Sequence, residues 1–189
     1  MQPMTTTIGK IQLKDKVFRP YLSEEIIFSA VAEMAEKMNN ELRDKNPLFI
    51  VVLNGSFMFA SDLFKQINLE AEISFIKIAS YQGMRSTGQV VTSIGMEQDL
   101  HGRDLIIVED IVDTGLTLHW LKSNLESRGA KSVEILTMLR KPEAAKVEVD
   151  VKYVGFDIPT DFVIGYGLDF DEKYRNLDFI GVLAKHVYA

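Results

Sequence analysis

Residues 105–118 read Leu105-Ile106-Ile107-Val108-Glu109-Asp110-Ile111-Val112-Asp113-Thr114-Gly115-Leu116-Thr117-Leu118. The four leading apolar residues suit a strand buried on both faces. Two adjacent carboxylates, Glu109 and Asp110, follow them. A third acid, Asp113, opens a turn of small residues, and Leu118, Leu121 and Leu125 then recur at helical spacing. The order is strand, acidic edge, small-residue turn, helix.

That order has a chemistry. A Thr- and Gly-rich turn at a helix start leaves backbone N–H groups unpaired, and with the positive end of the helix dipole they suit a phosphate. Thr114 and Thr117 add hydroxyl donors, and Gly115 lets the backbone approach an anion closely. Carboxylates beside a phosphate make sense when the ligand also carries sugar hydroxyls or a metal. Glu109 and Asp110 can accept from a ribose diol and favour Mg²⁺. A plainer reading stays open, in which a buried strand ends in a turn that caps a helix through Asp113. It accounts for the apolar run but not for three acids in five positions beside Thr-Gly-Leu-Thr.

The same residues resemble the phosphoribosyl-pyrophosphate (PRPP) signature of type I phosphoribosyltransferases. The form Val-Glu-Asp-Ile-Val-Asp-Thr-Gly at 108–115 is especially similar to the hypoxanthine-guanine members. The resemblance extends over roughly residues 10–185.

Composition is that of a folded globular protein and bounds other classes. The 189 residues fit one domain, taken as residues 1–189, and 47% hydrophobic with 25% charged is a globular composition. With 21 basic and 27 acidic residues the net charge is −6, so no global basic field invites nucleic acid. The absence of cysteine excludes disulfides, thiolate metal sites and thiol nucleophiles, and accords with a cytoplasmic location. Met1 to Lys16 does not read as a signal peptide, and no apolar run reaches the roughly 18 residues that span a bilayer. His101, His119 and His186 are too dispersed for a ligand cluster.

Along the chain, residues 5–20 look extended. Ser23, followed by Glu24 and Glu25, starts a helix whose apolar residues recur from Ile26 to Leu42. Leu48–Leu53 is a second buried strand. It ends at Asn54-Gly55-Ser56, and Phe57, Phe59, Leu63, Phe64 and Ile67 suggest a helix after it. Strand patterns recur near 73–79, at Val90, Val91 and Ile94, and near 133–139 and 151–156. Strands alternating with helices predict an α/β domain with a mainly parallel central sheet flanked by helices. Ligands in such folds sit at the carboxyl ends of the strands. The resemblance adds a small hood built from the N-terminal segment and roughly residues 155–189.

The resemblance also implies roles, residue by residue. Glu109, Asp110, Asp113, Thr114, Gly115, Leu116 and Thr117 would bind PRPP and its 5′-phosphate, and Asp113 would take or share the proton at purine N7. Asn54, Gly55 and Arg175 would meet pyrophosphate. Relatives of this kind carry a basic residue where this chain has Asn54, and they often hold the peptide before it in the cis form, which is expected at Leu53–Asn54. Ser80-Tyr81 would begin a mobile flap over the reacting centre, where a bare polar loop would otherwise read as a surface hairpin. Lys141, fourteen residues before Gly155, would donate to a purine 6-oxo group. Phe162, by itself as readable as core, would stack on the base, and Val163 would meet its edge. Asp169 would serve the purine and the metal, with Glu109 and Asp110 as the other metal residues.

The expected activity is transfer of 5-phosphoribosyl from PRPP to hypoxanthine or guanine, with Mg²⁺ as cofactor, in a homodimer or homotetramer. A xanthine-preferring enzyme, or a PRPP- or nucleotide-sensing regulator of the same fold, is the alternative.

Overall fold

The structure is a computed structural model, and residues 11–13, 16–80, 90–94 and 98–184 are described. Its elements in chain order are β1 (Ile11–Leu13), β2 (Lys16–Leu22), α1 (Glu24–Glu41), β3 (Leu48–Leu53), α2 (Phe57–Phe64), β4 (Glu72–Ser80), β5 (Val90–Ile94), β6 (Asp104–Val112), α3 (Leu116–Ser127), β7 (Ser132–Arg140), β8 (Tyr153–Asp157), β9 (Val163–Ile164) and β10 (Ile180–Leu183). A single 3₁₀ turn, Pro142–Ala144, follows β7.

Six strands form the main sheet in the order β5-β4-β3-β6-β7-β8. The pairs β4–β3, β3–β6, β6–β7 and β7–β8 are parallel, and only β5 runs antiparallel, at an edge. β3 and β6 lie at the centre, which explains their unbroken apolar runs: Leu48–Val52 and Leu105–Val108 are all buried. The predicted parallel α/β sheet is the one observed.

Each face of the sheet is covered. On one, α1 presents Ile27, Val31, Met34, Ala35 and Met38, and α2 presents Phe59, Ala60 and Leu63, to Phe49, Val51, Ile106 and Val108. On the other, Leu118, Leu121 and Leu125 of α3 meet Ile50, Leu105, Ile107 and Ile135. α1 begins where expected: Ser23 is its N-cap, accepting from the Ile26 N–H at 3.5 Å, with Glu24 and Glu25 in the first turn.

A second, four-stranded sheet has the order β1-β2-β10-β9. β10 pairs antiparallel with both β2 and β9, and so joins the two ends of the chain. Phe18, Ile164 and Leu177 form its core. The sequence pattern does not single out β9 or β10, since two to four apolar residues carry no readable period.

Three boundaries differ from expectation. β6, expected over residues 105–109, runs on to Val112 and takes both Glu109 and Asp110 into the strand. α2 ends at Phe64, and Ile67 lies beyond it in a turn where its N–H donates to the Phe64 carbonyl at 3.2 Å. β8 starts at Tyr153 rather than 151. Val149 and Val151 leave strand geometry to pack against the α3-side core.

Candidate active site

β6 places Glu109 and Asp110 at the carboxyl end of a central strand, with Glu109 in register with Thr137 of β7. The chain then turns at Asp113–Gly115 into α3. The helix N-cap is Gly115 and no side chain caps it, which rules out the reading of Asp113 as a helix cap. Gly115 is required twice over. Its φ is +79°, and a Cβ there would stand 2.6 Å from the Val147 carbonyl oxygen. The Thr114 carbonyl accepts from the N–H groups of Lys146 and Val147 at 3.0 and 3.2 Å, which braces one side of the turn. Its other side borders a small cavity of about 120 Å³, lined by Glu109, Asp113, Thr114, Gly115 and Thr117 among others. Leu116 and Thr117 themselves are exposed. A helix start, a left-handed glycine and two threonines thus surround one anion-sized space.

The acid pair is held under tension of charge. Burial, and then the charge of Asp110 beside it, hold the Glu109 carboxyl well above the usual carboxylate range. Glu109 Oε2 is buried with no hydrogen-bond partner. Asp110 is pushed up by burial, opposed by the Ile111 N–H that donates to its Oδ1 at 2.8 Å and by the Arg175 charge. An orphan buried oxygen next to a second carboxylate is a site that asks for hydroxyl donors or a cation.

Asp110 is also where three distant segments meet. The Leu53–Asn54 peptide is cis, as expected. Gly55 stands so close to Asp110 that a Cβ on it would lie 1.5 Å from Oδ2. A Cβ on Gly167 would in turn lie 1.9 Å from the Gly55 carbonyl oxygen, and Gly167 has φ +98°. The Arg175 guanidinium donates to the Gly167 carbonyl at 2.8 Å and pairs with Asp169 Oδ1 at 2.8 Å. Asp169 Oδ2 accepts from the Glu172 N–H at 2.9 Å. Asp110, Gly55, Arg175 and Asp169 therefore share one locality. Asn54 is exposed beside it.

Lys141 is the third feature. It is 8% exposed, and its Nζ lies 3.9 Å from Asp113 Oδ2. Its N–H donates to the Val112 carbonyl at 2.8 Å, so β7 carries it alongside the β6 turn. A cleft of about 670 Å³ opens here, lined by Val112, Asp113, Gly115, Lys141 and the segment 145–151. It borders the anion turn but does not touch Glu109 or Asp110.

Phe162 is 46% exposed, which sets aside the reading of it as core. Its ring lies 6.3 Å from Phe18 and 6.1 Å from Phe170, the neighbour of Asp169. Val163 is buried in β9, paired with Val182. The contacts bring Asp113 to Lys141, Glu109 to the turn, and Asp110 to Gly55 and Arg175. Val163 also packs into the main-sheet core with Val108 and Tyr166, and Phe162 reaches the Asp169 segment through Phe170. Ser80 is the last residue of β4, and Tyr81 lies outside the described residues. Sequence reasoning missed Gly167 and its contact with Gly55. The Gly165-Tyr166-Gly167 pattern was the available signal, since paired glycines often mark close backbone approach.

The chain is similar to known proteins in sequence and fold. Residues 20–171 match the phosphoribosyl transferase domain family. A hypoxanthine-guanine phosphoribosyltransferase of Lactococcus lactis is 45% identical over 176 residues, covering 92% of this chain and 96% of the relative. One from Mycobacterium tuberculosis is 44% identical over 174 residues, covering 88% and 86%. The crystal structure of a hypoxanthine phosphoribosyltransferase from Staphylococcus aureus superposes with a TM-score of 0.84 at 40% identity, covering 90% of this chain and 94% of that one. A hypoxanthine-guanine phosphoribosyltransferase structure from Bacillus anthracis gives 0.83 at 38% identity, covering 89% and 98%. With its parallel sheet, its acidic strand end and its Thr-Gly-Leu-Thr turn, the chain belongs to the phosphoribosyltransferase family.

Proposed function

We propose that the protein transfers 5-phosphoribosyl from PRPP to N9 of hypoxanthine or guanine, releasing pyrophosphate and forming IMP or GMP. The observation that carries the choice of base is the Lys141–Asp113 pair, with Nζ and Oδ2 3.9 Å apart. A 6-oxopurine presents its oxygen and N7 side by side on one edge. A buried ammonium can donate to that oxygen while the neighbouring carboxylate meets N7–H. Adenine offers an amino donor there instead, and Lys141 has no acceptor to meet it.

The difficulty of the reaction is breaking the anomeric C–O bond through a cationic, oxocarbenium-like state, as in glycoside hydrolysis. Thr114, Gly115, Leu116 and Thr117 hold the 5′-phosphate in the small cavity with backbone and hydroxyl donors. Glu109 and Asp110 accept from the ribose hydroxyls. Asn54, Gly55 and Arg175 hold pyrophosphate, whose departure takes the electron pair of the C–O bond. N9 supplies the new bond, and Asp113 takes or shares the proton leaving N7. Fixing both ends of PRPP makes the attack effectively unimolecular. Phe162 stacks on the base, and Val163 and Asp169 lie at its edge.

Mg²⁺ takes carboxylate oxygens together with substrate oxygens and water. Glu109, with its partnerless buried oxygen, Asp110 and Asp169 are the residues that would hold it. When bound it neutralises charge on the leaving pyrophosphate.

The assembly is a homodimer or homotetramer. Exposed Phe57 and Phe75, 44% and 43% accessible on α2 and β4, support burial against another copy. No helix among the described residues is long and apolar enough to cross a membrane, and the proposed location is the cytoplasm. The test is a spectrophotometric assay with PRPP, Mg²⁺ and each of hypoxanthine, guanine, xanthine and adenine. Conversion of the first two but not adenine is expected. No PRPP-dependent turnover with either overturns the reading.

A further inference from the structure

The Tyr166 hydroxyl donates to Asp62 Oδ2 at 2.9 Å. Asp62 sits on α2, the helix that continues from the Asn54-Gly55-Ser56 loop, and Tyr166 precedes Gly167, which lies on the Gly55 peptide. The two segments are therefore joined at two points, one backbone on backbone and one side chain on side chain. Tyr166 is 3% exposed and holds φ +49°, an unusual conformation for a bulky residue. Its N–H donates to the Leu177 carbonyl, and the Gly167 N–H donates to the Arg175 carbonyl, each at 2.8 Å. A shift of Tyr166 therefore moves Gly167 and, through it, the guanidinium that bonds the Gly167 carbonyl.

We infer that Tyr166 and Asp62 are positioning residues. Their hydrogen bond sets the distance between the Arg175 arm and the Asn54–Gly55 loop, and hence the width of the grip that takes the pyrophosphate end of PRPP. The inference rests on the proposed activity for its kinetic consequence, but not for its structural one. Burial and the Asp62 charge keep the Tyr166 phenol protonated well above its ordinary range, so it remains a donor at all working pH values. Lys65 meets the other oxygen of Asp62 at 2.7 Å and lies largely in solvent, so it leaves Oδ2 to the tyrosine.

Tyr166→Phe removes one hydroxyl and no packing. It is expected to raise the KM for PRPP about tenfold, because a small misplacement of a binding group is costly, while leaving the KM for hypoxanthine within about twofold. Asp62→Ala should match it, and the double variant should be no worse than either single one. Asp62→Asn keeps an acceptor oxygen and should restore nearly wild-type kinetics. Lys65→Ala should change neither KM. Amide hydrogen exchange at Tyr166 and Gly167 should quicken in Tyr166→Phe. A PRPP KM unchanged in Tyr166→Phe, or PRPP and hypoxanthine KM values rising together with a fall in Tm, overturns the assignment. If the wild type shows no PRPP-dependent turnover, the proposed activity fails by itself, and unchanged exchange at Gly167 then overturns the structural link independently.

Discussion

Gly55 stands against the carboxylate of Asp110 so closely that a methyl group on its Cα would sit 1.5 Å from Oδ2. The loop after β3 and the acidic end of β6 are thus fitted to one another at contact distance. Glycine at 55 is a condition of that fit, because any side chain must displace a half-buried carboxylate that is bonded to the Ile111 N–H.

Gly55→Ala should therefore lower kcat/KM for PRPP by about 10²-fold, since Asp110 must leave its place. The far-UV circular dichroism should be preserved, because a side chain yields rather than the backbone. Wild-type kinetics in this variant would show that Asp110 has no fixed role.

Gly167→Ala should behave differently. Its Cβ would meet the Gly55 carbonyl at 1.9 Å, a backbone atom, and φ +98° is closed to alanine. Loss of about 1–3 kcal/mol of folding stability is expected, on top of any kinetic effect. A thermal melt superimposable on the wild type would contradict the observed stacking.

Asp113→Ala should cut turnover by about 10²-fold or more while PRPP still binds. Asp113 caps no helix, but it faces the buried Lys141 ammonium at 3.9 Å, so a small fall in Tm of the size of one half-exposed ion pair is expected beside the kinetic loss. Near-normal turnover would remove Asp113 from the mechanism.

Lys141→Ala should relax discrimination against adenine more than it weakens PRPP binding, since in the proposed reaction the buried ammonium meets the base edge rather than the phosphates. Guanine kinetics unchanged from the wild type would end the assignment.

Glu109→Gln tests the electrostatics of the acid pair. The Glu109 carboxyl is raised in the fold from an ordinary 4.5, so the native protein holds a proton that the unfolded chain has released. Stability then falls as pH rises above about 4.5, through the window up to the folded value, because the unfolded state binds fewer protons there. The glutamine variant lacks this loss. Its Tm relative to the wild type should rise across that window and level off below it. Parallel Tm–pH curves would show that Glu109 ionises freely.

Much of this protein is written locally. Leu105–Val108 and Leu48–Val52 are read as central strands because only a strand covered on both faces tolerates an unbroken apolar run. Ser23 with two acids marks the start of α1, and Asp113-Thr114-Gly115 marks the turn into α3, because caps and left-handed turns depend on a few neighbouring residues. The approach of Gly55 to Asp110, of Gly167 to Gly55, and of Tyr166 to Asp62 is of another kind. These segments are far apart in sequence, and their separation is set by the register of β3 on β6 and by the closure of β10 between β2 and β9. Residue types alone state which chemistry is available at 109–117. Only the packed sheets decide which distant groups reach it, because contact between separate segments is a property of how the whole core closes.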